Sequence, residues 1–139
     1  PNQGDDLFFR TCGNTHRPVT KVGLIGFGTV GQSVARILLE NIQQDIELLN
    51  ICNRDVERKR VDWVPDRVKW LSDFDSVLNS EADVILELIG GTEPATTLIR
   101  QSLERGKSVV TANKQVIAHS GSSLMEAAAA NNAALKLDP

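Results

Sequence analysis

The sequence predicts an α/β domain: a doubly wound, mostly parallel sheet with helices on both faces. Three observations carry this. Apolar runs of about four to eight residues alternate with segments of helical period at intervals of about 10–15 residues, the pattern of βαβ units. A glycine-rich turn joins the first apolar run to the first helical segment. The composition is that of a globular chain, with 41% hydrophobic and 24% charged residues over 139 positions, which suffices for one core and not two.

Residues 1–18 read as a flexible extension, with Gly4, Gly13 and Pro18 scattered through them and Leu7-Phe8-Phe9 as their apolar cluster. The domain is placed at 19–139. Val22, Leu24 and Ile25 make a short run stopped by Gly26, which suits a buried strand. Val30, Val34, Ile37 and Leu38 then recur at i, i+4, i+7 and i+8, the spacing of one helical face. A second strand is expected over 48–52, a polar and irregular stretch over 53–65, and a short third strand over 68–71. Asp73 is a candidate cap for a brief helix reaching Asn79. The clearest strand is 82–89, stopped by Gly90-Gly91. Thr92-x-Pro94 opens the next helix with proline in its first turn, and Leu98, Ile99 and Leu103 form its apolar side. Gly106 stops it, 108–111 is a strand, 124–132 is helix-prone, and 133–137 supplies a last strand.

Charge and cysteine usage exclude several function classes. Fifteen Lys+Arg against eighteen Asp+Glu give a net charge of −3. No basic stripe of the kind that binds nucleic acid is present. No apolar run approaches the roughly 20 residues of a membrane span, and the first residues lack the basic-then-apolar order of a secretory signal. Cys12 and Cys52 are far apart and have no histidine at ligand spacing, so neither a disulfide framework nor a metal site is expected. The expected compartment is the reducing cytoplasm.

Gly26-Phe27-Gly28-Thr29-Val30-Gly31 is a G-x-G-x-x-G placed between a strand and a helix, the setting of a dinucleotide-binding turn in a Rossmann-type fold. Each glycine has its own reason. Gly26 permits the tight turn, Gly28 lets a pyrophosphate approach the backbone, and Gly31 lets helix and strand pack closely. The helix N-terminus offers unpaired N–H groups and partial positive charge to phosphates. In an NAD site an acid is expected about 20 residues on, at the end of the second strand. Here Asn53 and the cationic Arg54 stand there, followed by Asp55. An arginine can pair with a 2′-phosphate and stack on adenine. NADP is therefore favoured over NAD, although Asp55 turned inward would serve NAD and Arg54 paired with Asp55 or Glu57 would serve neither. Gly106-Lys107-Ser108 mimics the end of a phosphate loop, but it precedes a strand instead of a helix.

Four strings in order give the chain a resemblance to the homoserine dehydrogenases, specifically to their N-terminal nucleotide-binding half. They are VGLIGFGTVGQSVARIL (22–38), NRDVERKR (53–60), DVILELIGGTEPATTLI (83–99) and GKSVVTANKQVIAHSG (106–121), and together they span about 21–132. The resemblance implies that Phe27, Thr29 and Val30 touch the cofactor pyrophosphate and ribose and that Arg54 sits at the adenosine 2′ position. It also implies that Ile89, Gly90 and Gly91 border the nicotinamide. Thr111, Asn113 and Lys114 would follow the fifth strand, with Lys114 near nicotinamide and substrate. A lysine ammonium there would stabilise the alkoxide character that develops during hydride transfer. Glu87, a charge in a central strand, must reach the sheet's end or be paired. His119 is read as a loop residue without a role.

The implied activity is the interconversion of L-homoserine and L-aspartate 4-semialdehyde, with an amino-acid substrate and NAD(P) as small-molecule partners and a homo-oligomeric parent enzyme. The string Leu135-Lys136-Leu137-Asp138-Pro139 does not match the family's crossover into its substrate domain, and the family's acid–base lysine and aspartate lie farther downstream. The chain on its own is therefore expected to bind cofactor and turn over little. The alternative is a regulatory dinucleotide-sensing module, for which Lys114 has no use.

Overall fold

A computed structural model of the chain describes residues 19–40 and 45–137. The extension expected at 1–18 lies outside the described residues. The strands are β1 (Thr20–Ile25), β2 (Ile46–Cys52), β3 (Lys69–Leu71), β4 (Val84–Glu87), β5 (Ser108–Thr111) and β6 (Leu135–Leu137). The helices are α1 (Thr29–Leu39), α2 (Val56–Lys59), α3 (Phe74–Leu78), α4 (Ala95–Glu104) and α5 (Lys114–Ala130). Among the described residues the strands form one sheet in the order β3-β2-β1-β4-β5-β6, with every neighbouring pair parallel.

The register aligns the strand ends. Leu71 pairs with Cys52, Cys52 with Ile25, Ile25 with Glu87, Glu87 with Thr111 and Thr111 with Leu137. All six strands therefore stop on one row. The chain winds outward from β1 to β3 and then returns to β4 on the other side of β1, so the crevice between β1 and β4 is the switch point of the sheet, where ligands of such folds bind.

Two apolar layers hold the sheet. On one face Ile85, Val109 and Leu135 pack with Val77 of α3, Leu98, Ile99 and Leu103 of α4, and Leu124 and Ala128 of α5. On the other, Leu24, Leu48 and Ile51 pack with Ala35 of α1 and with Val64 and Val68. Helices thus cover both faces, as a parallel sheet requires.

Several expectations shift. The apolar face expected on α1 is split: Val34 and Leu38 pack inward, whereas Val30 is 60% and Ile37 67% exposed. The buried residues of α1 are Gly31 and Ala35, because the helix lies close enough to the sheet that only small side chains fit beneath it. Pro94 stands at the N-cap of α4 and not inside its first turn. The strand expected over 82–89 closes at Glu87, where the Glu87 carboxylate accepts the amides of Ile89 and Gly90. The largest difference is α5, which begins at Lys114 instead of near 124. Lys114 is thus its first residue, and His119 lies on an exposed helical turn instead of in a loop.

Candidate functional site

Four loops meet along the row of strand ends. The first is the glycine-rich turn. Gly26 has φ +102, and a Cβ there would lie 2.9 Å from the Leu88 carbonyl carbon and oxygen. A Cβ on Gly31 would come within 2.2 Å of the Gly26 carbonyl oxygen. Both glycines are therefore required by the protein's own packing. Gly28 differs: a Cβ there would meet nothing within 4 Å. It is the N-cap of α1, no side chain caps that helix, and no acid sits in its first turn. The first-turn amides of α1 thus face open space with their positive partial charge uncompensated. Thr29 and Val30 are exposed beside it. Phe27 is fully buried, its ring 6.0 Å from Trp63 and 5.1 Å from Trp70, so only its main chain remains for a ligand.

The loops after β2 and β4 enclose a cleft of about 370 Å³, walled by Cys52, Asn53, Arg54, Phe74, Ile89 and Gly90. Arg54 is exposed at its rim. The neighbouring acid is engaged elsewhere, since Asp55 pairs with Arg58 at 3.3 Å. Cys52 is buried, and that burial, with a smaller contribution from the Asp73 carboxylate, pushes its thiol up to about 11. Ile89 lines this arginine-bearing cleft, and Gly90 lines both it and the smaller cavity beyond.

A second cavity of about 150 Å³ lies on the other side of Gly90, between Val30, Glu87, Leu88, Ala112 and Asn113. Its wall is organised by the fully buried Glu87. Glu87 Oε2 accepts the N–H groups of Ile89 at 3.0 Å and Gly90 at 3.2 Å, and Oε1 accepts the Thr111 hydroxyl at 2.5 Å. Thr111 Oγ1 accepts the Asn113 N–H at 2.9 Å. Asn113 Nδ2 donates to the Gly91 carbonyl at 2.5 Å, and its Oδ1 accepts Val116 N–H at 3.2 Å to cap α5. Thr111 and Asn113 therefore spend their side chains on protein partners and shape the wall from within.

Lys114 follows the cap as the exposed first residue of α5. A cation at a helix N-terminus opposes the helix dipole, so local helix energetics do not account for its presence. The N-termini of α1 and α5 lie at the same edge of the sheet, and neither carries an acid in its first turn. Both N-termini thus present uncompensated positive partial charge at that edge, although the chain's net charge is −3. Sequence reasoning missed Phe74, Leu88 and Ala112 as wall residues. It also missed Glu93, whose Oε1 accepts Thr97 N–H at 3.2 Å and Thr97 hydroxyl at 2.9 Å. The Glu93-x-x-x-Thr97 spacing was the available signal for that contact.

Comparison with known proteins agrees with this geometry. Residues 26–138 match the family model described as homoserine dehydrogenase, NAD binding domain. A homoserine dehydrogenase of Bacillus subtilis is 33% identical over 118 residues, covering 80% of this chain and 27% of that protein. One from Pseudomonas aeruginosa is 36% identical over 115 residues, covering 78% of this chain and 26% of that protein. A crystal structure of the Staphylococcus aureus homoserine dehydrogenase at pH 6.0 superposes with a TM-score of 0.80 at 34% identity, over 88% of this chain and 33% of that one. The chain spans about a quarter of the length of these curated relatives.

Proposed function

Since the chain belongs to the homoserine dehydrogenase family, through its NAD-binding domain, we propose that it holds NADP(H) along the β1–β4 crevice. There it would serve the interconversion of L-homoserine and L-aspartate 4-semialdehyde. The observation that carries this reading is the open space over Gly28 at the uncapped N-terminus of α1, a cradle that a side chain would fill and a pyrophosphate fits. Gly26, Gly28 and Gly31 shape the turn, and the main chain of Phe27, Thr29 and Val30 offers donors to the phosphates. Asn53 and Arg54 face the adenosine ribose, where the guanidinium makes a charge-assisted contact to a 2′-phosphate. Gly90, Gly91 and Asn113 border the nicotinamide, with Thr111 behind them.

The bound cofactor supplies the carbon that gives or takes the hydride. Lys114 presents a positive charge at that end of the crevice, where it stabilises the developing alkoxide of the substrate. Glu87, the ionisable side chain that lines the smaller cavity, is committed to three donors. Glu87 is therefore not free to take up a substrate proton, and proton exchange falls to groups other than Glu87. Cys52, a buried free thiol, fits a reducing cytoplasm.

Titration of the 139-residue chain with NADPH and NADH tests the reading. NADPH is expected to bind more tightly, and Arg54→Ala should lose about 1–3 kcal/mol for NADPH with little change for NADH. Equal affinities for both cofactors in both proteins would refute the NADP preference, and the absence of binding would refute the cofactor site. Homoserine-dependent reduction is expected to stay at background in the same preparation.

A further inference from the structure

We propose that Glu87 is a positioning residue for the nicotinamide end of the site, joining the loops after β4 and β5 into one preformed unit. The inference rests on the cofactor reading above and adds to it the device that holds the smaller cavity open. The hydrogen bonds form a closed ring. From Glu87 one arm runs through the amides of Ile89 and Gly90 to Gly91, and the other runs through the Thr111 hydroxyl to the Asn113 amide. The Asn113 side chain closes the ring on the Gly91 carbonyl.

The chemistry of the ring explains why a carboxylate stands here. Three donors converge on two oxygens, and an ionised carboxylate, which only accepts, satisfies them all. A glutamine would hold all three only by reversing the Thr111 hydroxyl from donor to acceptor, and an apolar residue would leave all three buried without partners. Among the described residues no cation pairs with Glu87, so the group bears the cost of burial with no ion pair to offset it. The sheet interior has no use for such a residue, since Ile85 two positions earlier on the same face is wholly apolar packing. The loop does have a use for it. Gly90 and Gly91 both take left-handed conformations, at φ +78 and +73. Two consecutive glycines impose little conformation of their own, so the position of this wall is set by what grips it. Glu87 grips the first glycine through its amide, and Asn113 grips the second through its carbonyl.

Coupling distinguishes this role from two independent structural contacts. Amide hydrogen exchange, followed by NMR on the 139-residue chain, reads it without any cofactor. Thr111→Val removes one hydroxyl from the β5 side. It is expected to speed exchange at Ile89 and Gly90, across the sheet, by about tenfold or more, and Thr111→Ser should restore protection. Glu87→Gln should speed exchange at Ile89, Gly90 and Asn113 together. If that variant fails to fold, the Thr111 pair still decides the matter.

Binding supplies the second readout. NADPH affinity should fall about tenfold in Thr111→Val, whereas 2′,5′-ADP, which lacks the nicotinamide, should bind as to the wild type. An exchange change confined to Asn113, or equal weakening of NADPH and 2′,5′-ADP, would overturn the proposal. Wild-type protein that binds neither nucleotide would overturn the cofactor reading and, with it, the assignment of this end to nicotinamide. The exchange arm would still show whether the two loops move as one.

Discussion

Three glycines of one motif carry different duties, and single substitutions separate them. Gly31→Ala forces a Cβ to within 2.2 Å of the Gly26 carbonyl oxygen, a backbone atom that cannot step aside. The expected loss is about 1–3 kcal/mol of stability, measurable by chemical denaturation. Gly28→Ala meets open space at φ −80, which any L-residue adopts. Its stability should stay within about 1 kcal/mol of the wild type, while NADPH affinity falls at least about tenfold because the methyl fills the pyrophosphate cradle. Equal stability losses in the two variants would contradict the division of labour. The motif was legible in the sequence as a ligand turn. That Phe27, in its middle, belongs to the core with Trp63 and Trp70 was not, because the partners of a side chain from distant segments have no local signature.

Among the elements, α5 shows where local signals fall short. The sequence marks only 124–132 as helix-prone, yet the helix runs unbroken for 17 residues from Lys114 to Ala130, through Gly121-Ser122-Ser123. Val116, Leu124 and Ala128 bury one face, and Arg100 of α4 donates to Ser123 Oγ at 2.8 Å. Tertiary burial outweighs the poor propensity of three residues, each costing at most about 1 kcal/mol. Gly121 has negative φ, and a Cβ there would meet Ile117 Cγ2 at 3.4 Å, an ordinary contact. Gly121→Ala should therefore raise stability by about 0.5–1 kcal/mol, seen as a higher melting temperature. A lower one would mean that the α4–α5 packing needs the glycine. The extension of α5 has a functional consequence, since it makes Asn113 a cap and puts Lys114 at a helix N-terminus beside the smaller cavity.

For the molecule as a whole, Cys52 links the site to global stability. It lies at the end of β2, fully buried between sheet and α3, with Sγ 3.5 Å from the Asp73 carbonyl. Burial raises its thiol from 9.0 to about 11. A group whose folded-state pKa exceeds its unfolded value stabilises the fold below the unfolded value and loses that contribution as pH climbs through the folded one. Stability should thus decline between about pH 9 and 11, by on the order of 2 kcal/mol from this thiol. Cys52→Ala should flatten that alkaline limb relative to wild type in denaturation curves at pH 8 and 10.5. An unchanged slope would show that the thiol ionises without global unfolding.

The sequence by itself determined the alternation of strands and helices, the parallel sheet, and the glycine turn at the head of the first helix. It also marked Arg54 and Lys114 as the charges to watch. These are local facts: periodicity, punctuation by glycine, and charge at the ends of predicted strands. The sheet order, the level row of strand ends, the burial of Ala35 where Val30 and Ile37 stay exposed, and the ring through Glu87, Thr111 and Asn113 were decided only by tertiary structure. Each depends on atoms more than 20 residues apart in the chain, or on how closely a helix settles onto a sheet, and hydrophobic pattern is silent about both. Glu87 shows the boundary most clearly. Sequence identified it as a charge that had to be accounted for, and the fold supplied the three donors that account for it.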